Sequence, residues 1–253
     1  TGLASTMHVM HHPITHPKIA SLEPHWAPFH GFSLLFDNPD EPGLDLYRRL
    51  AAALGELDRD QSLRRHLLCP LPPASYHTTV WDGINAENLT KVTAALQPEW
   101  AAFMQGLPET LQSPPPSICT VTEAPLMKQP AAPIRFRFDR LCLWGEAVLV
   151  ARLAPADDTS AARLNELCAA RADLSDTARQ TLGLSAGPDY EPHVSLGYFA
   201  NRTLGRQAQA LLADWSAHFE ARLSGSVITY RSIGLYAFTD MANFFKFKFE
   251  PAP

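Results

Sequence analysis

Tyr76-His77-Thr78-Thr79-Val80 and Pro192-His193-Val194-Ser195-Leu196 are the two stretches of the chain on which its reading turns. Each is a histidine followed two positions later by a hydroxyl residue, among β-branched and apolar neighbours that favour a strand. In a strand, side chains at i and i+2 share a face, so each histidine points the same way as its hydroxyl. One such pair on one strand is common and carries little weight alone. Two copies at equivalent places in the two halves of the chain carry much more. If the halves face each other, two imidazoles and two hydroxyls meet in one cleft.

Outward from these segments, each half reads strand, helix, strand, helix, strand. In the first half, Phe32, Leu34 and Phe36 alternate as in a half-buried strand. Leu46, Tyr47, Leu50, Leu54 and Leu57 follow at helical spacing. Pro70, Pro72 and Pro73 break the helix before a short strand, Ser75 to Trp81, and a helix is predicted from Ala86 to Leu96, extending to about Leu111. The proline-rich run from Pro108 to Pro133 reads as an ordered crossover loop or lid.

In the second half, Phe136 and Phe138 alternate with Arg135 and Arg137, and the strand continues through Trp144. Gly145 and Glu146 make a tight turn into a hairpin partner, Ala147 to Leu153. Asp157, Asp158 and Thr159 are caps for a helix carrying Leu164, Leu167 and Leu174. After the strand Glu191 to Phe199, the stripe Leu204, Ala208, Leu211, Leu212, Trp215, Phe219 and Leu223 predicts one helix. Val227 to Phe238 and Asn243 to Phe249 are the closing strands. The expected class is α+β: two antiparallel sheets flanked by helices around a central cleft. The expected division is an N-terminal extension over 1–29 and one bilobal domain over 30–250. Its halves are roughly 30–133 and 134–250, with strands exchanged between lobes as an option.

Composition limits the function. Of 253 residues, 46% are apolar and 19% charged, which supplies a globular core. No apolar run is long enough to cross a membrane, and the first residues lack the basic and apolar regions of a signal peptide. The four cysteines are widely spaced and read as free thiols, so a reducing, cytoplasmic setting is expected. A net charge of −5, with no dense Lys/Arg block, is ill suited to gripping a long duplex. A nucleotide or an RNA end suits it better, and a monomer is favoured. His8, His11, His12, His16 and His25 crowd the N-terminal region, but their spacing matches no structural zinc pattern. No metal or other cofactor is expected. A tail draped on the surface is the simpler reading. The absence of a GxxxxGK[ST] loop or GxGxxG turn argues against nucleoside triphosphate and dinucleotide sites.

Two histidines and two hydroxyls suit phosphodiester chemistry. In-line displacement at phosphorus needs a base for the attacking oxygen and an acid for the leaving one, and imidazole fills either role near neutrality. Thr79 and Ser195 are candidates for binding the non-bridging oxygens. Trp81, on the same predicted strand face as His77 and Thr79, is a candidate for base stacking, as are Tyr190 and Tyr236. Arg135, Arg137, Lys246 and Lys248 lie on polar strand faces and are further candidates for a phosphate contact.

The paired His-x-Thr/Ser strands resemble the 2H phosphoesterase superfamily, and the wording "SYHTTVWDG" looks most like one of its uncharacterised bacterial branches. The resemblance covers residues 30–250 in order of elements; its specific content is the two short motifs. It implies a bilobal fold with pseudo-twofold symmetry. By carry-over, His77 and Thr79 match the first motif and His193 and Ser195 the second, with Pro192 also fitting. It implies His193 as base and His77 as acid in hydrolysis, with roles exchanging when the reaction reverses. Tyr198 stands where some relatives have a basic residue. The activity implied is metal-independent hydrolysis of a 2′,3′-cyclic phosphate end, a 2′-5′ linkage or a small cyclic nucleotide. The alternatives are a binding module that recognises a nucleotide or RNA end without turnover, and a zinc protein using the N-terminal histidines.

Overall fold

The structure is a computed structural model that describes residues 13–21, 26–187 and 189–248. Phe249, His8, His11, His12 and His25 lie outside the described residues. The fold is α+β, with two antiparallel sheets flanked by helices around a central cleft.

Strand β1 (Gly31–Phe36) is buried along its whole length, not on one face as its alternation suggests. It lies inside its sheet, and polar Ser33 faces the cleft rather than solvent. Helix α1 (Asp45–Arg59) buries the expected stripe, with Ala53 added. Strands β2 (Leu68–Pro70) and β3 (Thr79–Asn85) follow. The helix expected from Ala86 does not form. The Asn88 side chain accepts from the Asn85 N–H (2.8 Å) and donates to the Gly83 carbonyl (2.8 Å), so local side-chain bonds replace the helical ladder. Helix α2 runs from Gln97 to Gln105 instead, with Pro98 in its first turn, where a missing N–H costs nothing.

The proline-rich run is ordered by buried Ile118, Val121 and Leu126, and contains the single-turn helix α3 (Cys119–Thr122). It packs against helix α4 and contributes no residue to the cleft, so it is a crossover and not a lid. Strands β4 (Ile134–Trp144) and β5 (Val148–Pro155) form the predicted hairpin, with Gly145 and Glu146 both at positive φ (54° and 59°). Asp157 caps helix α4 (Asp158–Thr181) by accepting the Ser160 N–H. Strand β6 is His193–Phe199.

The stripe from Leu204 to Leu223 is divided into α5 (Arg202–Ala208) and α6 (Leu212–Leu223) by one 3-10 turn, while Leu204, Ala208, Trp215, Phe219 and Leu223 stay buried. The expected strand from Val227 to Phe238 also divides, into β7 (Val227–Tyr230) and β8 (Ile233–Phe238), because the chain there passes from one sheet to the other. The last described strand, β9, is Phe244–Lys246.

The strand orders are β3-β1-β8-β9 and β2-β6-β5-β4-β7. Each sheet therefore draws strands from both halves of the sequence. The aromatic rings of Phe36 on β1 and Tyr230 on β7 stack at 4.5 Å and join the two sheets. No helix among the described residues is long and apolar enough to cross a membrane. All four cysteines are free.

Candidate active site

Between the sheets lies a cleft of about 330 Å³, lined by His77, Thr79, His193 and Ser195 together. The residues matching the two motifs thus share one space, although His77 sits just before β3 rather than within it. Strand β3 is an edge strand, whereas β6 is flanked by β2 and β5.

The two imidazoles are held alike. The Nδ1–H of His77 donates to the carbonyl of Ser75 (2.7 Å), and that of His193 to the carbonyl of Glu191 (2.9 Å). A carbonyl only accepts, so in the neutral ring the proton is on Nδ1 and the lone pair is on Nε2. Neither Nε2 has a hydrogen-bond partner among the described residues. Each ring also rests on an aromatic from the end of another strand: His77 on Phe244 (4.4 Å) and His193 on Trp144 (3.9 Å).

Both motif strands then carry an extra residue directly after the hydroxyl. Against β1, Thr79 pairs with Leu35 and Trp81 with Leu34, leaving Val80 as a bulge. Against β5, Ser195 pairs with Val150 and Gly197 with Leu149, leaving Leu196 as a bulge. One extra residue reverses the alternation of faces beyond it. The cleft is consequently lined by His77, Thr79 and Asp82 on one side and by His193, Ser195 and Tyr198 on the other. This corrects the placement of Trp81, which simple alternation puts in the cleft. The bulge turns it into the core, 1% exposed, with its indole N–H on Ser175 (3.3 Å). Tyr236 is also outside the cleft, donating to Asp37 (2.7 Å). Tyr190 lines the cleft and donates its hydroxyl to the Thr79 carbonyl (2.9 Å).

Several supporting residues carried no signal in the sequence. Arg171, buried on α4, donates to the carbonyl of the bulged Val80 (3.0 Å) and to that of Gly187 (2.9 Å), and lies 5.3 Å from the Tyr190 ring. The bulged Leu196 carbonyl is taken by the Leu71 N–H (2.9 Å). Buried Thr78 shares a hydrogen bond with the Tyr230 hydroxyl (2.8 Å), and Asn38 donates to the Tyr76 carbonyl (3.0 Å), so His77 is fixed from both sides. Lys18, from the N-terminal segment, lines the cleft too. The basic residues singled out on strand faces do not. Arg135 pairs with Asp157 (3.1 Å) and Lys246 with Asp37 (2.6 Å), and Arg137 and Lys248 are likewise outside the lining.

Burial pushes the His77 imidazolium down to about 4, with the charges of His193 and Lys18 adding to the effect and the Ser75 carbonyl and Asp82 opposing it. Burial also lowers His193, against the Glu191 carbonyl and carboxylate. Both rings are therefore neutral at pH 7. An anion bound between them would favour protonation of one ring. Among the described residues no group of three or more His, Cys, Asp or Glu is arranged to hold a metal ion.

The fold has counterparts among solved structures. The crystal structure of a conserved protein of unknown function from Agrobacterium tumefaciens (ATU0111) superposes with a TM-score of 0.53 at 18% identity, covering 89% of this chain and 88% of that one. Kluyveromyces marxianus Usb1 matches at a TM-score of 0.40 and 9% identity, covering 87% of this chain and 98% of that one. The structure of the same protein with uridine monophosphate matches at 0.39 and 10%, over the same shares. The first of these shows a shared fold. No protein-family model matches the sequence, and no curated protein matches it.

Proposed function

We propose that the protein is a phosphodiesterase of the two-histidine type, acting on a nucleotide or RNA-end phosphodiester without a metal ion. The observation that carries this reading is the matched presentation of two imidazoles. Each is pinned through Nδ1 to the carbonyl two residues upstream, each leaves Nε2 unpartnered among the described residues, and each has a hydroxyl two positions on, all in one cleft.

For a 2′,3′-cyclic phosphate the step balances as follows. One neutral Nε2 takes a proton from water as its oxygen bonds to phosphorus. The bond to the 2′ or 3′ oxygen breaks on the opposite side, and that oxygen receives the proton of the other ring. The pair ends with its proton exchanged between partners, and solvent resets it. In hydrolysis we assign the base to His193 and the acid to His77, following the family resemblance. Thr79 and Ser195 hydrogen-bond the non-bridging oxygens, where charge builds up. Because the rings and hydroxyls are already oriented, these contacts need little reorganisation at the moment of reaction.

A panel of 2′,3′-cyclic nucleotides, 2′-5′ linked dinucleotides, 3′,5′-cyclic nucleotides and RNA ends, assayed with and without chelator, tests the proposal. Turnover of at least one substrate class, insensitive to chelator and lost in His77→Ala, is the expected result. Binding of these nucleotides with no turnover by the wild-type protein would favour the recognition module instead.

A further inference from the structure

Beside the catalytic cleft lies a second, larger groove of about 600 Å³. Lys18, Trp144, Val148 and Tyr198 line both spaces, so the two adjoin. The cleft alone is at the lower end of the roughly 300–1,000 Å³ spanned by small-ligand sites. A single nucleotide has little reason to need both.

Part of their shared boundary is built from the N-terminal segment, which is more than a tail draped on the surface. The N–H groups of Thr15 and His16 both donate to the Ala200 carbonyl (2.9 and 3.1 Å), and the Asn201 side chain donates to the Pro13 carbonyl (3.0 Å). Ile19 is buried and bridges to Trp26, and the Ala27 N–H reaches the Lys18 carbonyl (3.1 Å). These contacts fix the backbone of Lys18. Its ammonium lies 4.3 Å from the Phe29 ring centre and 5.4 Å from that of Tyr198. No carboxylate among the described residues is within ion-pair distance of it; Asp82 and Glu87 act on it only from further away. A half-buried ammonium held on two aromatic faces, without a paired anion, is costly unless an anion arrives to complete it. Arg202 adds a second, exposed cation on the groove wall, and Thr15, Asn201 and Thr203 add polar side chains to its lining. Glu87 is the one acid there.

We propose that this groove holds the nucleotide unit next to the scissile phosphate, with Lys18 on the adjoining phosphodiester, so that the preferred substrate is a polynucleotide end rather than a free cyclic mononucleotide. The inference rests on the two-histidine phosphodiesterase reading but makes a separate demand. Lys18 is a binding residue, and its effect is expected in the preference between substrates.

The test compares a dinucleotide ending in a 2′,3′-cyclic phosphate with the matching cyclic mononucleotide. The wild-type protein should favour the dinucleotide by about 10-fold or more in kcat/KM, the usual weight of one charge-assisted contact. Lys18→Met should bring the ratio towards one, Lys18→Arg should keep most of it, and Arg202→Ala, at an exposed position, should lower it by a smaller factor. Equal rates on the two substrates, or an equal loss on both in Lys18→Met, would overturn the subsite. Titration calorimetry with a dinucleotide 3′-phosphate and a mononucleotide 3′-phosphate reads the same preference without turnover. A dinucleotide preference lost in Lys18→Met, with no turnover of either cyclic substrate, supports the subsite and removes the phosphodiesterase. No preference in binding removes the subsite whatever the catalytic outcome.

Discussion

The arm carrying His77 and the arm carrying His193 use the same backbone device with different supports. In each, the ring is tied to the carbonyl two residues back, a hydroxyl follows two residues on, and a one-residue bulge brings a third side chain to the cleft. The His193 arm belongs to an interior strand, laddered to β5 through His193–Ser195 and to β2 beyond the bulge, at Gly197–Phe199. The His77 arm leads into an edge strand, where the ladder exists on one side only. Its remaining polar groups are satisfied by side chains: Asn38 on the Tyr76 carbonyl, Tyr230 on Thr78 and Arg171 on the Val80 carbonyl. One arm is positioned by sheet, the other by side chains that single substitutions can remove. The arms should be equal in chemistry and unequal in robustness.

Equality in chemistry predicts the largest effect. His77→Ala and His193→Ala should each lower turnover by about 10²-fold or more, the range of positioned proton transfer. The double variant should lose far less than the product of the two, since the rings act as a unit. Kinetics on the purified variants, with circular dichroism to confirm folding, decide the matter. Near-normal turnover after loss of either ring would end the comparison.

Inequality in support predicts the next. Arg171→Met removes the donor from the bulged Val80 carbonyl and from Gly187, and should cost about 2 kcal/mol of stability, as buried unsatisfied acceptors do. That corresponds to a fall in Tm of roughly 4–8 °C for a chain of this size. Turnover should drop as well, because Thr79 and Asp82 flank the bulge. The corresponding bulge on the other arm is closed by the backbone N–H of Leu71, which no side-chain change removes. A thermal melt unchanged by Arg171→Met would show that the edge arm does not depend on it.

The same contrast explains what the sequence revealed. Apolar periodicity located most elements, since burial of one face is the dominant force on a strand or helix. It also brought the four motif residues to one cleft, because the i, i+2 rule holds up to the hydroxyl. Beyond the hydroxyl it failed. A bulge has no composition of its own here, so strict alternation puts Trp81 on the face where Asp82 lines the cleft. The helix expected at Ala86 failed for a related reason: the Asn88 side chain competes for local backbone groups, which a count of apolar spacings does not register. Arg171 and Lys18 are long-range partners, and nothing near them in the chain announces the carbonyls or rings they reach.

The hydroxyls give a smaller test of equivalence. Thr79→Ala and Ser195→Ala should each lower kcat by about 10-fold, roughly one hydrogen bond to a developing charge, and by less than either histidine change. The Thr79 position should be the more sensitive, because it opens an edge strand with a ladder on one side only, and Thr79→Ser should restore most of the loss. Equal losses at both positions would mean that the edge arm is as well supported as the interior one.

The smallest expected effect lies at the third residue of each arm, where the two differ in charge. Burial lowers both imidazolium pKa values, that of His77 to about 4. The state with one ring protonated is therefore most populated below pH 6.5, and the bell of kcat/KM, which reports the free enzyme, should peak on the acid side of neutrality. The kcat bell should lie higher, because a bound phosphate restores the proton to the pair. The unfolded chain binds a proton at His77 near pH 6.5 and the folded chain only near 4, so stability should fall as pH drops through that window, and His77→Ala should lessen the fall. Asp82 opposes the depression of His77, and Tyr198 carries no charge at these pH values. Asp82→Asn should then move the acid limb of the kcat/KM profile down by a fraction of a pH unit, while Tyr198→Phe should leave it in place. A shift with Tyr198→Phe and none with Asp82→Asn would mean that the protonation of the pair is governed from the His193 arm, reversing the asymmetry assigned to the two sides of the cleft.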